Sequence, residues 1–338
     1  MLDINDLNLI AKELTKDFVY FKNKKIFLTG GTGFFGKWIL ESIRHLNVSY
    51  ELNIDVTILT RSPMCFEQKH PHLAKHSNFR FVKGDFTTFE SIESGYDIVI
   101  HAATDVSIAL AASDSDSIKE NIIDGAKNIC KLANNSNCSK ILYISSGAVY
   151  GTQTCYHGGF TEDTVLNDTL EQHTSYSLSK LESEREFLNN SNCDVIIARC
   201  FTFLGPYLPL DGNFAAGNFI SDLLNGKDIK INGDGSPLRS YLYMADLVIW
   251  LLRILSKGQV NEIYNVGSPV PISIKDLARK ISGKNSVIMM NDINSKNNNY
   301  VPCVKKAMNN LNLKEYTNLD VAIEKTIKFS KLERNIID

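Results

Sequence analysis

The sequence predicts an α/β protein, with a doubly wound parallel sheet and a smaller C-terminal lobe. Three observations carry this. Short, near-continuous apolar runs alternate with longer helical stretches over the first 200 residues. A glycine-rich turn follows the first of these runs. After about residue 200 the alternation gives way to segments punctuated by Gly and Pro. Runs apolar on both faces suit strands covered on both sides, as in a parallel sheet.

The first twenty residues read as an amphipathic helix, because Leu7, Ile10, Leu14 and Phe18 recur at helical spacing. This helix lies outside the first strand, free to pack on the body or on a partner chain. The strand candidates are Lys25–Leu28, Val56–Leu59, Phe79–Val82, Asp97–Ile100, Ile141–Ile144 and Val195–Ala198. Between the fourth and fifth, Ile118, Ile122, Ala126, Ile129 and Ala133 mark one face of a helix. Gly205-Pro206, Pro209, Gly212, Gly217, Gly233, Gly235 and Pro237 break the pattern into loops, and Asn294–Asn299 reads as an exposed loop.

The 338 residues exceed the ~100–200 of a typical domain, so the chain can bury a large core. Hydrophobic residues at 43% and charged residues at 22% exclude wholesale disorder. A formal charge of -2 leaves no basic excess for a nucleic-acid backbone. The longest apolar stretch, Leu247–Leu255, is interrupted by Arg253 and is far shorter than the ~20 residues that span a bilayer. Seven cysteines without a CxxC pair, and the absence of a signal-peptide pattern, predict reduced thiols in the cytoplasm. No Cys/His cluster has metal-ligand spacing, so no metal is expected.

The first strand runs into Thr29-Gly30-Gly31-Thr32-Gly33-Phe34-Phe35-Gly36 and then a helical stretch. A turn this tight needs glycine, and glycine lets backbone N–H groups approach a pyrophosphate at the new helix N-terminus. Gly30, Thr32, Gly33, Phe34, Phe35 and Gly36 are therefore expected to cradle a dinucleotide. No Gly-Lys-Ser/Thr closes the turn, so it is not a P-loop. At the end of the second strand an acidic residue would bind a ribose 2′-hydroxyl. Arg61 and Ser62 stand near that place instead, which favours NADP over NAD. Asp85, followed by Phe86, is placed for adenine, and Ala102 and Ala103 are small enough to let the cofactor lie close, with Thr104 beside them.

Tyr176 and Lys180, four apart at the head of a helical stretch, share one helix face. A nearby ammonium lowers an acid's pKa by ~1–3 units. Lys180, with an oxidised nicotinamide, is expected to bring the Tyr176 phenol near neutrality as a general acid or base toward an alcohol or ketone. Ser146, at the end of the fifth strand, is expected to hydrogen-bond the same oxygen.

TGGTGFFG, GDF, HAAT, Asn121, ISSGAVYG, SYSLSK, Arg199 with Gly205-Pro206-Tyr207, Gly233–Gly235 with Arg239 and Asp246, and YNVG follow one another in this order. Over residues 24–330 the chain resembles the extended short-chain dehydrogenases/reductases, in their nucleotide-sugar epimerase/dehydratase branch. Beyond the N-terminal helical extension (1–23), the resemblance implies an NAD(P)-binding Rossmann domain (24–198, rejoined near 240–265) and a mainly substrate-binding lobe (199–338). It implies a nucleoside-diphosphate sugar as substrate, and a homodimer built on the helices carrying Ile118–Ala133 and Tyr176–Leu188. It also implies that Ser146, Tyr176 and Lys180 are the catalytic trio, that Asn121 is a buried asparagine supporting the site, and that Arg239 contacts the substrate's phosphates or ribose. Thr104, Thr202, Tyr207 and Asn218 are further substrate-binding candidates.

Three departures from the family pattern bear on the reaction. The 4,6-dehydratases carry an Asp-Glu pair where Gly147 and Ala148 stand here, and neither of these transfers protons. Thr202 replaces the asparagine three residues after Arg199. The second-strand acid is absent. The chain is therefore expected to reduce a nucleoside-diphosphate 4-keto-6-deoxyhexose at C4. A 4-epimerase, a dehydratase using Glu162, Asp163 or His173, and a non-catalytic dinucleotide-dependent binding module remain the alternatives.

Overall fold

A computed structural model describes residues 1–89, 95–104, 116–152, 157–166, 173–212, 214–231, 233–283, 288–290 and 298–337. Its centre is a seven-stranded parallel sheet in the order β3-β2-β1-β4-β5-β6-β11. The strands are β1 (Lys25–Thr29), β2 (Asp55–Thr60), β3 (Phe79–Lys83), β4 (Ile98–His101), β5 (Lys140–Ser146), β6 (Asp194–Cys200) and β11 (Glu262–Val266). All six predicted strands form, and each run is almost wholly buried except at the β3 edge. The order reverses between β1 and β4. A crevice opens at such a point, beyond the carboxyl ends of the strands.

Helices cover both faces. α1 (Ile4–Leu14) and the short α2 (Phe18–Phe21) precede the sheet. α3 (Phe34–Tyr50) follows β1; it buries Trp38, Ile39, Leu40, Ile43 and Leu46, and ends at Glu51 in a left-handed conformation. α4 (Pro63–Lys69) and α5 (Pro71–Ala74) lead into β3. α6 (Asp116–Asn135) and α7 (Ser175–Asn190) lie side by side on the opposite face, burying Ile122, Ala126, Ile129, Ala133 and Phe187. The Ile118 side chain lies outside the described residues.

The stretch after residue 200 is not purely loops. It contains α8 (Ala215–Leu224), α9 (Met244–Lys257), α10 (Ile274–Ser282), α11 (Lys305–Leu311), α12 (Leu319–Ile337) and three small sheets. These small sheets pair β7 (Phe203–Leu204) with β10 (Leu242–Tyr243), β8 (Ile229–Ile231) with β13 (Ile288–Met290), and β9 (Leu238–Arg239) with β12 (Ile272–Ser273). The apolar stretch Leu247–Leu255 is a core helix, which explains why it is hydrophobic all round. No helix among the described residues is long and apolar enough to cross a membrane.

The N-terminal helix packs on the body. Asp6 is buried and accepts from Tyr243 Oη at 2.7 Å, and Lys325 pairs with it. Asp17 pairs with Arg253 of α9 at 2.7 Å and accepts from Ser256 Oγ at 2.6 Å. Of the expected exposed loop at 294–299, residues 294–297 lie outside the described residues. Asn299 is buried, because its Oδ1 accepts from Leu238 N at 2.9 Å and ties the segment to β9.

Candidate active site

Five strands bring the predicted residues to the carboxyl end of the sheet. The cradle between β1 and α3 closes on itself through Gly33 N to Gly30 O at 3.0 Å. Gly30 has φ +72°, and a side chain there would meet Ala102 backbone atoms at 2.6 Å; one on Gly36 would meet Gly30 O at 2.2 Å. The helix starts at Gly33 without a side-chain cap, leaving the first N–H groups of α3 open to an anion. Thr32, Phe34 and Phe35 line this turn, and Phe35 stands edge-on to Phe203 at 5.0 Å. A pyrophosphate fits this cradle, with the α3 dipole favouring its charge.

Ala103 N donates to Thr29 Oγ1 at 3.1 Å, which holds the Ala102–Thr104 turn against the cradle. Thr29 Oγ1 also bonds His101 Nδ1 at 2.7 Å. Burial lowers the His101 pKa to about 3, so this histidine is a neutral core group. Arg61 and Ser62 are exposed just beyond β2. Asp85 Oδ1 accepts from Thr87 N and Oγ1 at 2.9 and 2.8 Å, committing one carboxylate oxygen to its own turn. Phe86 lies over Gly125 of α6, where an added Cβ would come within 2.2 Å of its ring.

The three residues expected to be catalytic come from the end of β5 and the start of α7. A capping box between Thr174 and Ser177 starts α7 and places Tyr176 in its first turn. Ser146, the last residue of β5, lies beside the Tyr176 phenol and favours its ionised form. Lys180 is buried; its Nζ donates to Thr104 Oγ1 at 2.7 Å and to Ile144 O at 3.0 Å. One expectation needs correcting. Burial holds the Tyr176 pKa up at about 12, with Ser146 pulling the other way. The ammonium of Lys180 does not offset that burial. Burial in turn lowers Lys180 to about 8, against Cys200 and Glu184, which raise it. Beneath them lies the buried pair of Glu184 and Arg199 at 2.7 Å, with Ser145 Oγ donating to Glu184 at 2.5 Å.

Four further candidates sit otherwise than expected. Asn121 is exposed rather than buried, since the packed stretch of α6 begins at Ile122. Thr202 Oγ1 donates to Ser240 O, so its hydroxyl serves the backbone of the β9–β10 turn. Tyr207 turns away toward α3: it is buried, its Oη donates to Glu41 at 3.1 Å, and Lys37 lies over its ring at 4.3 Å. Asn218 is exposed on α8. Arg239 is half-buried; its Nη1 donates to Leu238 O at 2.9 Å and to Asn298 O. Of the alternative acids, Glu162 accepts from Asn265 N at 2.8 Å, and His173 Nδ1 bonds Ser177 Oγ at 3.2 Å within the helix cap.

Sequence reasoning missed Phe201 and Tyr300. A Cβ on Gly147 would come within 2.5 Å of the Phe201 ring, so Phe201 fills the space a side chain at 147 would take. Tyr300 packs against Phe201 with ring centroids 4.7 Å apart and planes tilted by 36°, and brings its Oη to 3.2 Å from Ser146 Oγ. The only signal was the bare Gly147, which demands a filler from elsewhere in the chain.

Fold and cradle together define a dinucleotide-dependent oxidoreductase of the Rossmann type. The chain belongs to the NAD dependent epimerase/dehydratase family, whose profile matches residues 26–267. It is 30% identical over 276 residues to a dTDP-D-glucose 4,6-dehydratase of Dictyostelium discoideum, covering 76% of this chain and 61% of that one. It is 26% identical to the low-salt glycan biosynthesis protein Agl12 of Haloferax volcanii, covering 76% and 81%. Among solved structures, the epimerase Mth375 of Methanothermobacter thermautotrophicus superimposes with a TM-score of 0.79 at 21% identity, over 97% of this chain and 98% of the other. UDP-glucuronic acid 4-epimerase of Bacillus cereus, solved with NAD and a fluorinated UDP-sugar, gives 0.78 at 21% identity over 91% and 99%.

Proposed function

We propose that the protein is an NADPH-dependent reductase of a nucleoside-diphosphate 4-keto-6-deoxyhexose, acting at C4 of the sugar. The observation that carries this is at position 147. It bears no side chain, and the Phe201 ring takes the space one would fill. Hydride transfer at one carbon needs one proton donor, whereas elimination of water needs further acid–base groups beside the sugar. Ser146, Tyr176 and Lys180 are the residues we assign to the first.

The cradle residues, Ala102–Thr104, Asp85 and Phe86 would hold the dinucleotide, and its nicotinamide when bound supplies the hydride. Tyr176 gives its proton to the sugar's carbonyl oxygen, and Ser146 orients that exchange. A phenol held up at about 12 keeps its proton through neutral pH, which suits donation. Lys180, through Thr104 and the Ile144 carbonyl, keeps a positive charge beside the site. Arg239, without a carboxylate partner among the described residues, is the group we assign to the substrate's phosphates. Arg61 and Ser62 favour NADP through its 2′-phosphate.

The division into an extension, a cofactor-binding domain and a substrate lobe, a cytoplasmic location, and a homodimer through α6 and α7 belong to the same reading. A 4-epimerase needs the same trio, and the Bacillus cereus neighbour is a 4-epimerase. Product analysis by NMR, with a panel of nucleotide sugars with and without NADPH, separates the two. Consumption of NADPH with a 4-keto-6-deoxy sugar supports reduction; conversion of a nucleotide sugar into its C4 epimer without added reductant refutes it.

A further inference from the structure

Ser146 Oγ has one hydrogen and two lone pairs to give. It accepts from Ala148 N at 3.1 Å, lies 3.2 Å from Tyr300 Oη, and stands close enough to the Tyr176 phenol to lower its pKa. Three partners on one hydroxyl leave two arrangements. In one, Tyr300 donates to Ser146, both lone pairs of Ser146 are then filled, and its hydrogen goes to Tyr176. In the other, Tyr300 donates to Cys200 O, which is farther at 3.4 Å, and Tyr176 spends its proton on Ser146. Only the first leaves the Tyr176 proton free for a substrate, and only the first offers a donor to the phenolate left behind.

We infer that Tyr300 is a positioning residue that fixes the direction of hydrogen bonding through Ser146, so that Ser146 donates to Tyr176. The surroundings hold it to this. Its backbone N donates to Leu238 O at 2.9 Å, its ring rests on Phe201, and the absent side chain at Gly147 makes room for Phe201. Burial pushes the Tyr300 phenol up, with Ser146 and Arg239 acting against it, so Tyr300 stays a protonated donor across the working range. The groups facing the two phenols are Lys180 from α7, Tyr143 from β5, Cys200 from β6 and Arg239 from β9.

The inference goes beyond the reductase reading and needs it only for the kinetic part of the test. Tyr176 is replaced by a ring-fluorinated tyrosine, whose more acidic phenol titrates at lower pH, and is followed by fluorine NMR in the whole protein with no sugar present. Tyr300→Phe keeps the ring on Phe201 and removes one oxygen. It should raise the pKa at position 176 by roughly half a unit, the scale of one net hydrogen bond. In a Ser146→Ala background the same change should add nothing, since the relay is already cut. In turnover, Tyr300→Phe should lower kcat roughly tenfold with KM unchanged. An unchanged pKa in Tyr300→Phe, or an equal further shift in the Ser146→Ala background, would overturn the relay. Lack of turnover in the parent enzyme would instead count against the reductase reading, leaving the titration to decide this one.

Discussion

The cradle and the serine–phenol corner are built in opposite ways. The cradle is backbone: its shape comes from Gly30 and Gly36, eight consecutive residues, and the contact with Ala102. The corner is side chains from four separated segments: Ser146 from β5, Tyr176 and Lys180 from α7, Cys200 and Phe201 at the end of β6, and Tyr300 from the segment beside β9. A local backbone device depends on which residues lack a side chain. A corner assembled at long range depends on which side chains fill the gaps left by others. Gly147 belongs to the second kind, because its missing side chain is answered by Phe201, 54 positions away by sequence number.

The strongest way to break the corner is beneath it. Glu184→Ala leaves Arg199 charged and buried without its partner, and should cost about 3–5 kcal/mol in denaturant unfolding. A loss under 1 kcal/mol would mean water reaches the pair. Tyr176→Phe should leave cofactor binding intact and slow turnover by at least ~10²-fold; near-normal turnover would remove the phenol from the mechanism. In the cradle, Gly36→Ala drives a Cβ to 2.2 Å from Gly30 O. It should cost about 1–3 kcal/mol in stability and weaken dinucleotide binding in calorimetry, while Gly147→Ala, which presses on a ring instead of backbone, should spare that binding.

The pH profile sharpens the contrast further. Lys180 is lowered to about 8 in the folded protein, so its charge is present below that pH and lost above it. The kcat/KM for reduction should be flat near neutrality and fall as pH rises through about 8. Lys180 binds fewer protons folded than unfolded between about 8 and its ordinary value, so its contribution to stability rises with pH there. The smallest effect is expected at Arg61→Ala, which should weaken NADP more than NAD by fluorescence titration; equal weakening would refute the assignment.

What was legible follows the same division. The strands, the cradle and the Tyr176–Lys180 spacing are written in short runs, where one period or one glycine decides the structure. The N-terminal helix was legible as a helix, but its docking rests on Asp6 and Asp17 finding Tyr243 and Arg253 more than 230 positions away by number. Tyr207 was misplaced because nothing beside Gly205-Pro206 shows that its ring would be drawn to Glu41 on α3. The expected acidity of Tyr176 counted the nearby ammonium and left out burial, which is the larger influence.

The most direct measurement follows hydrogen into the product. The reaction is run in D2O with unlabelled NADPH and a nucleoside-diphosphate 4-keto-6-deoxyhexose, then repeated in H2O with NADPH deuterated at the transferable position. The account predicts deuterium at a single sugar carbon, and only from the labelled NADPH. Deuterium delivered from solvent to C5 by the enzyme, with no label passing from NADPH, would contradict it.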